Sequence, residues 1–565
     1  MADYPPIAIF YHPDGFETGG RPLMGRRAAG KSLLDAWFKR RSGGELHCHT
    51  GSKAHFETFA AHAKSRGAAG KAIWLPLDRP ELLQQTGTLY FPGPDIGLNA
   101  WRRYRRNPQG WSILGVTHTI CTKAAMDGIA DWLTAPVEDW DAVICTSQAV
   151  RASVDLLLAR QADDLARRLG ATRFTRPQLP VIPLGIDTAS FAPDPALRAA
   201  TRARLGIEDG DVAALFVGRL SIYGKAHPLP MFLALERAAR SSGKRLHLIL
   251  AGWFATPGIE KVFRAGAAEI CPSVTVHVVD GRQPEELAGA WRAGDFFVSL
   301  VDNIQETFGL TPIEAMAAGL PAVVSDWDGY RETVRHGVDG LRVPTLSAPP
   351  LFGEPLIDRY AADIDSYDVY LARSTYLVSV DVEAAAAAFH TLIVEPDLRA
   401  SMAAAGLERA RSQYDWSYVL DKYDRLAVEL AARRRAANPG DRNVRRVWPA
   451  RLSPFELFGN YPTRMPAAAD NIRIAAGNTE NLIALVGKDA NPALDSSEAV
   501  MAAARALVQT IGPGVATVGS VVGDGNDAER AQRLAMLMRL AKFGVVAIEP
   551  AEGPAGPKKG PNDPG

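Results

Sequence analysis

The sequence predicts an α/β protein: two Rossmann-like domains facing across a cleft, plus a small, mainly helical C-terminal domain that resembles a winged helix. Three observations predict it. Short apolar runs alternate with longer helical patterns through roughly residues 1–430, as in strands joined by crossover helices. The runs are continuous rather than alternating, the mark of parallel strands covered on both faces. They fall into two series that change over near residues 185–194, so each series is expected to build its own sheet.

The first series comprises residues 7–11, 72–75, 88–91, 112–116, 142–146 and 181–184; the second comprises 212–217, 246–251, 274–279, 296–300 and 322–325. The expected boundaries are 1–190 and 191–435 for the two large domains and 436–465 for an extended arm. They continue with 466–552 for a small accessory domain and 553–565 for a disordered tail of Pro, Gly and Lys. The arm carries Trp448, Phe455, Phe458 and Tyr461, an aromatic spacing that predicts packing along the body.

Composition narrows the class. A chain of 565 residues exceeds one hydrophobic core, and 47% hydrophobic with 22% charged residues describes a soluble globular protein. The 63 basic and 63 acidic residues cancel, which argues against a nucleic-acid partner. The four cysteines lie far apart without CxxC pairing, so neither a disulfide framework nor a zinc site is expected. The first strand starts at about residue 7, leaving no room for a signal peptide, and no apolar run reaches a membrane span. The expected location is cytoplasmic, with peripheral contact at the inner membrane face left open.

Taken in order, the first strand leads into a loop bearing Gly15, Gly19, Gly20, Gly25 and Gly30, with a helix expected from about Ala28. Such a turn lets backbone approach a phosphate, or is a plain surface loop. His47 and His49 share one strand face without further ligands nearby, so no metal site is expected. Trp101 to Arg106 form a basic-aromatic cluster, read as a solvated helix face or as a contact to anionic lipid or an acidic acceptor. His118 follows the strand 112–116 at the carboxyl edge of the sheet, where open α/β sheets bind ligands, though a structural histidine fits equally. In the second series Arg219 and Lys225 follow the strand 212–217 in a glycine-bearing loop at the corresponding edge. Arg supplies a planar fork for phosphate oxygens and Lys a point charge.

The stretch 306–321 reads as a loop turning into a helix with Glu306 before the turn and Glu314 after it. Thr311 is the expected N-cap, Pro312 suits the first helical position, and Glu314 falls at the third. Two readings stay open: a Thr311–Glu314 capping box, or a helix N-terminus that offers its free N–H groups to an anion.

With Gly218-Arg219, Lys225 and the Glu306-(seven residues)-Glu314 spacing in that order, the sequence resembles the retaining glycosyltransferases of family 4, the glycosyl transferases group 1 with the GT-B fold. His118, residues 181–187, 294–298 and 337–341 match as well, so the likeness covers about residues 5–430. The resemblance implies that Arg219 and Lys225 hold the diphosphate of a nucleotide-sugar donor. It implies that Glu314 binds the ribose, and that Glu306 sits by the hydroxyls of the transferred sugar. The N–H groups of Phe308, Gly309 and Leu310 would contact sugar and phosphate. His118 would reach across from the first, acceptor-side domain, and Gly20 and Gly25 would approach the diphosphate from the N-terminal loop. The helix starting at Trp416 would cross back to the first domain. The chain departs from the family at Leu184, where an asparagine is usual, and at residues 300–303, where Pro-Ser is usual. An additional segment, about residues 345–379, is rich in Tyr, Asp and Pro and is expected to be a lid or an oligomer contact.

The activity implied is transfer of a hexose-type sugar from a nucleotide-diphosphate-sugar to a hydroxyl of a glycan, lipid or small molecule. The nucleotide-sugar is a substrate, and no cofactor or metal is expected. The alternatives are a GT-B disaccharide or α-glucan synthase or phosphorylase, and a non-catalytic GT-B scaffold. The C-terminal unit is expected to serve a protein partner or homo-oligomer, because its second helix mixes Arg530, Arg533 and Arg539 with Asp527 and Glu529.

Overall fold

The computed structural model describes residues 4–16, 25–438, 446–475, 477–490 and 496–551; the expected tail lies outside them. The chain divides into two compact units, residues 1–448 and 449–565, a boundary inside the expected arm. No helix among the described residues is long and apolar enough to cross a membrane.

The first unit holds two parallel sheets. Strands β1 (Ala8–Phe10), β2 (Leu46–Thr50), β3 (Ala72–Pro76), β4 (Thr88–Tyr90), β5 (Ser112–Val116) and β6 (Ala142–Ile144) are ordered β3-β2-β1-β4-β5-β6. Strands β7 (Val212–Leu220), β8 (Leu246–Phe254), β9 (Val274–Asp280), β10 (Phe296–Ser299), β11 (Ala322–Ser325) and β12 (Gly340–Val343) are ordered β12-β11-β10-β7-β8-β9. Every residue of β5, β10 and β11 is buried, which is why these strands read as continuous apolar runs. In each sheet the order reverses where the first strand meets the fourth, β1 beside β4 and β7 beside β10. Loops diverge at such a point and leave a crevice beyond the carboxyl ends of the strands.

One expectation on strands needs correction. Residues 181–184 form no strand, because Pro180 and Pro183 lack the N–H groups a ladder needs; one bridge joins Val181 to Cys145. His47 and His49 share one face of β2, and all five residues of that strand are buried. His49 Nδ1 lies 2.8 Å from the Leu75 carbonyl, and burial pushes its pKa down to about 4, leaving a neutral, structural ring.

The helix Trp416–Ala436 crosses back as expected. Its residues Trp416, Val419, Leu420, Tyr423, Leu426, Ala427 and Leu430 form an apolar stripe in one core with Leu33, Trp37 and Phe38 of the first domain. Arg40 and Arg41 both pair with its Asp424. At the domain changeover Ile186 N donates to Tyr414 O at 2.8 Å, and Trp416 N donates to Ile186 O at 3.0 Å. A Cβ on Gly185 would stand 2.6 Å from the Trp416 ring, so glycine is needed there.

The additional segment leaves the second domain on β13 (Thr345–Ser347) and returns on β14 (Val378–Val380), paired antiparallel with Ser347 opposite Val378. Helices Glu354–Ala361 and Tyr367–Thr375 lie between them. In the basic-aromatic cluster Arg103 is buried on Asp141, Trp101 stacks on Trp448 at 5.6 Å, and Arg105 and Arg106 are exposed.

The second unit is helical around a small antiparallel sheet. Strands β15 (Asn471–Ile474), β16 (Ala516–Thr517) and β17 (Val546–Glu549) are ordered β16-β15-β17. Helices Thr479–Lys488, Ser497–Ile511, Val518–Val522 and Asp527–Lys542 cover it. The order from Ser497 onward, helix-strand-helix-helix-strand, is that of a winged helix, but β15 enters the middle of the sheet from the N-terminal side. In the arm, Phe455 is 81% and Tyr461 76% exposed.

Candidate active site

The crevice between β7 and β10 collects the residues singled out above. The loop after β10 runs through Asp302, Asn303, Gln305 and Glu306 to the helix Leu310–Ala317. This helix starts earlier than expected: its N-cap is Gly309, no side chain caps it, and Thr311 is its second residue. The capping box therefore does not form, and Thr311 Oγ1 is buried without a partner. The reason is long-range packing. Gly309 adopts φ 78°, and a Cβ there would stand 1.9 Å from Cε1 of Tyr330. Only glycine fits that turn, and the turn sets the helix start. The N–H groups at the start of the helix thus carry no side-chain cap, and Glu314 moves to the fifth helical position.

Lys225 and Glu306 are paired directly through Nζ and Oε2, both side chains mostly buried. Burial works against the Lys225 charge, but Glu306, Tyr330 and Asp328 outweigh it and hold the ammonium above its ordinary range. Arg219 Nη2 donates to the Gly224 carbonyl at 3.1 Å, and Gln305 Nε2 donates to the same oxygen at 3.0 Å. Asn303 ties the loops together: Nδ2 donates to Lys225 O, Oδ1 accepts Gln305 N at 3.0 Å, and its carbonyl accepts Trp327 Nε1 at 2.9 Å. Pairing Lys225 while fixing its loop by backbone bonds orients a cation without neutralising Arg219.

Two carboxyls sit at the edge of ionisation. Burial pushes Glu314 up to about 7, against the pull of Lys225. Burial likewise pushes Asp302 up to about 7, against the His227 N–H that donates to its Oδ1 at 3.4 Å. The site also contains residues that the sequence reading did not single out as functional. Asp328 and Tyr330, in the loop after β11, face Lys225 and Glu306; the phenol of Tyr330 lies 3.0 Å from Ser299 Oγ. The available signal was an acidic, glycine-bearing loop at the carboxyl end of a buried strand.

The first domain grips the backbone on both sides of Glu306. Thr119 Oγ1, next to His118, donates to Gln305 O at 3.4 Å, and Ser147 Oγ donates to Thr307 O at 2.8 Å. Glu332 reaches the other way: its Oε1 accepts N–H of Gln148 at 2.7 Å and Ala149 at 3.2 Å, at the start of the helix Gln148–Leu169. An acidic side chain at a helix N-terminus complements the local dipole. His118 is partly buried and precedes Thr119, whose hydroxyl makes the contact to Gln305.

Gly309 and Leu310 therefore cap and open the helix instead of preceding it in the loop, with Phe308 just before them and the Lys225–Glu306 pair and Glu314 nearby. Gly20 lies outside the described residues. Gly25 does not belong to a loop, because it opens the helix Gly25–Arg40. Gly30 has a packing role: a Cβ there would stand 2.2 Å from the Gly15 carbonyl. The additional segment touches the site through Tyr367, whose hydroxyl donates to Gln305 Oε1 at 3.0 Å and lies 3.4 Å from Cys121 Sγ. Tyr376 OH lies 3.2 Å from Tyr223 OH, in the loop between Arg219 and Lys225.

Residues 198–349 match the family model described as glycosyl transferases group 1. The chain is 31% identical over 194 residues to a D-inositol 3-phosphate glycosyltransferase of Nocardia farcinica, covering 34% of this chain and 42% of that protein. It is 33% identical over 243 residues to a protein of the same name from Geodermatophilus obscurus, covering 41% of this chain and 51% of that protein. The chain thus spans about half the length of these curated relatives. Among solved structures, Anabaena Alr3699/HepE in complex with UDP aligns over 75% of this chain and 99% of its own, with TM-score 0.48 and 16% identity.

Proposed function

We propose, from the premise that residues 198–349 form a domain of the glycosyl transferases group 1 family, that the protein is a hexosyltransferase. It takes a hexose-type sugar from a nucleotide-diphosphate-sugar and passes it to a hydroxyl acceptor with retention at the anomeric carbon. The observation that carries this reading is the convergence on Glu306. Its carboxylate holds Lys225, and the carbonyls beside it are held by Thr119 and Ser147 of the opposite domain. A donor bound there meets both domains at once.

In this reading Arg219 and Lys225 take the diphosphate, and the free N–H groups at Gly309 and Leu310 add their partial charge. Lys225 has three N–H donors, so it can hold phosphate oxygens while keeping Glu306. Charge that develops on the departing diphosphate is thereby met by cations already in place, without a metal. Glu306 accepts hydroxyls of the transferred sugar, and Glu314 those of the ribose. The departing phosphate takes the proton of the acceptor hydroxyl on the same face, so acceptor oxygen and leaving group share that face and the configuration is kept. His118 faces this side from the first domain. Closure of the domains around the sugar excludes water. We place the protein in the cytoplasm, where nucleotide-sugars are made.

The test is a panel of nucleotide-sugars screened by thermal shift, followed by hydrolysis and by transfer to candidate hydroxyl acceptors, with D-inositol 3-phosphate among the first. One donor class is expected to raise the thermal midpoint and to be turned over with the anomeric configuration preserved in the product. An inverted product contradicts the same-face mechanism, and a panel in which none binds contradicts the donor site.

A further inference from the structure

One residue at the edge of the site combines three unfavourable features. Asp328 has φ 40°, the left-handed region that non-glycine residues rarely occupy. Its Oδ1 accepts the Tyr330 N–H at 3.0 Å, but its Oδ2 is buried without a hydrogen-bond partner. It also faces a like charge, Glu306, whose carboxylate already engages Lys225. The neighbours hold it there. A Cβ on Gly329 would stand 2.7 Å from Phe308 Cα and 2.8 Å from Thr307 O, so the loop of Asp328 is pressed onto the loop of Glu306.

Backbone strain and an orphaned buried acceptor point to a site where something else completes the contact. What arrives must bring a hydrogen-bond donor and no negative charge. A phosphate oxygen only accepts, and the Glu306 carboxylate beside Asp328 repels it. A sugar hydroxyl donates as well as accepts, so it suits Asp328 in either protonation state. We propose that Asp328 is a specificity-determining residue whose Oδ2 binds a hydroxyl of the transferred sugar beside Glu306. The assignment rests on the donor-site reading above. Burial, with Glu306, holds the Asp328 carboxyl well above its usual range, against the N–H of Tyr330, the charge of Lys225 and the N–H of Gly329. An incoming hydroxyl supplies the hydrogen bond that Oδ2 lacks without adding charge.

The experiment compares kcat/KM for the accepted nucleotide-sugar and for analogues lacking one ring hydroxyl each, in the unsubstituted protein, D328G and D328N. Glycine suits φ 40°, so D328G is expected to keep or raise the thermal midpoint. For the unsubstituted protein, one analogue is expected to lose roughly tenfold to hundredfold. D328G shows that same loss with the intact donor and no further loss with the analogue. D328N retains an acceptor oxygen and keeps part of the discrimination. Titration with the nucleoside diphosphate alone is expected to give equal affinity in all three proteins. Discrimination unchanged at every hydroxyl in D328G and D328N, with nucleotide still bound, overturns the role of Asp328 alone. An unsubstituted protein that binds neither nucleoside diphosphate nor nucleotide-sugar overturns the donor site and this role together.

Discussion

Glu314 sits about 7 where an ordinary glutamate sits at 4.5, because burial penalises its charge more than Lys225 favours it. The sign of the consequence follows from which state holds the proton. Between about 4.5 and 7 the native carboxyl stays protonated while the unfolded one ionises, so stability falls as pH rises through that window. In the proposed donor site ligand binding runs the other way, since a Glu314 that holds the ribose accepts from two hydroxyls only as the carboxylate. Affinity for the nucleotide-sugar is expected to rise about tenfold from pH 6 to pH 8, and E314Q to flatten this rise while only reducing the stability slope, since Asp302 is also pushed up to about 7. Calorimetric titration at the two pH values checks it; a slope that persists in E314Q assigns the titration elsewhere. Arg219, Lys225, Glu306 and Glu314 were legible in the sequence because each lies at or beyond the carboxyl end of a strand of the second series, although Arg219 itself still belongs to β7, paired with Trp253, and not to the loop expected after residue 217. Asp328 was not, because its left-handed φ and its orphaned oxygen come from Gly329 packing on Phe308, a contact across 21 positions of the chain. Thr311 misled for the converse reason: Thr-x-x-Glu is a local pattern, and Gly309 against Tyr330 overrode it.

The additional segment between β13 and β14 is a self-contained element that fastens to both domains. Toward the first domain Lys123 pairs with Asp363, and Lys123 N donates to Tyr360 OH at 3.3 Å. Toward the site Tyr367 fixes Gln305, which in turn shares the Gly224 carbonyl with Arg219. The segment thereby links the contact between the two domains to Gly224, which lies between Arg219 at the end of β7 and Lys225. Ser347 lies opposite Val378, so residues 348–377 can be replaced by Asn-Gly as a two-residue hairpin turn. The shortened protein is expected to fold, to turn over about fivefold to tenfold more slowly, and to lose a larger share of the donor to water. Partition between hydrolysis and transfer is the readout; an unchanged partition contradicts a role in closure. The sequence marked this segment by its Tyr, Asp and Pro content, but composition carries no information about which loops those tyrosines meet. Residues 181–184 failed as a strand on simpler grounds, since Pro180 and Pro183 were visible and cannot donate to a ladder.

At the scale of the whole molecule, the two sheets repeat one strand order and each presents its reversal point, β1 beside β4 and β7 beside β10. The architecture of the first unit was legible because buried parallel strands write themselves as apolar runs, and because the Trp416 helix carries one apolar stripe. The second unit was half legible: its helix with Asp527 and Arg539 stood out, whereas β15 and the helix Thr479–Lys488 did not. A strand as short as β15 is specified by its partners β16 and β17, which come later in the chain. In the first unit everything converges on Lys225: its loop ends β7, its ammonium holds Glu306, and the first domain holds the backbone on either side of that glutamate. The most direct measurement is therefore turnover of the accepted nucleotide-sugar by Lys225→Ala beside the unsubstituted protein, with thermal unfolding as the check on folding. Loss of about a hundredfold or more in kcat by a folded variant is the predicted result. Undiminished turnover would contradict the assignment of Lys225 to the departing diphosphate, and with it the reading of this crevice as the donor site.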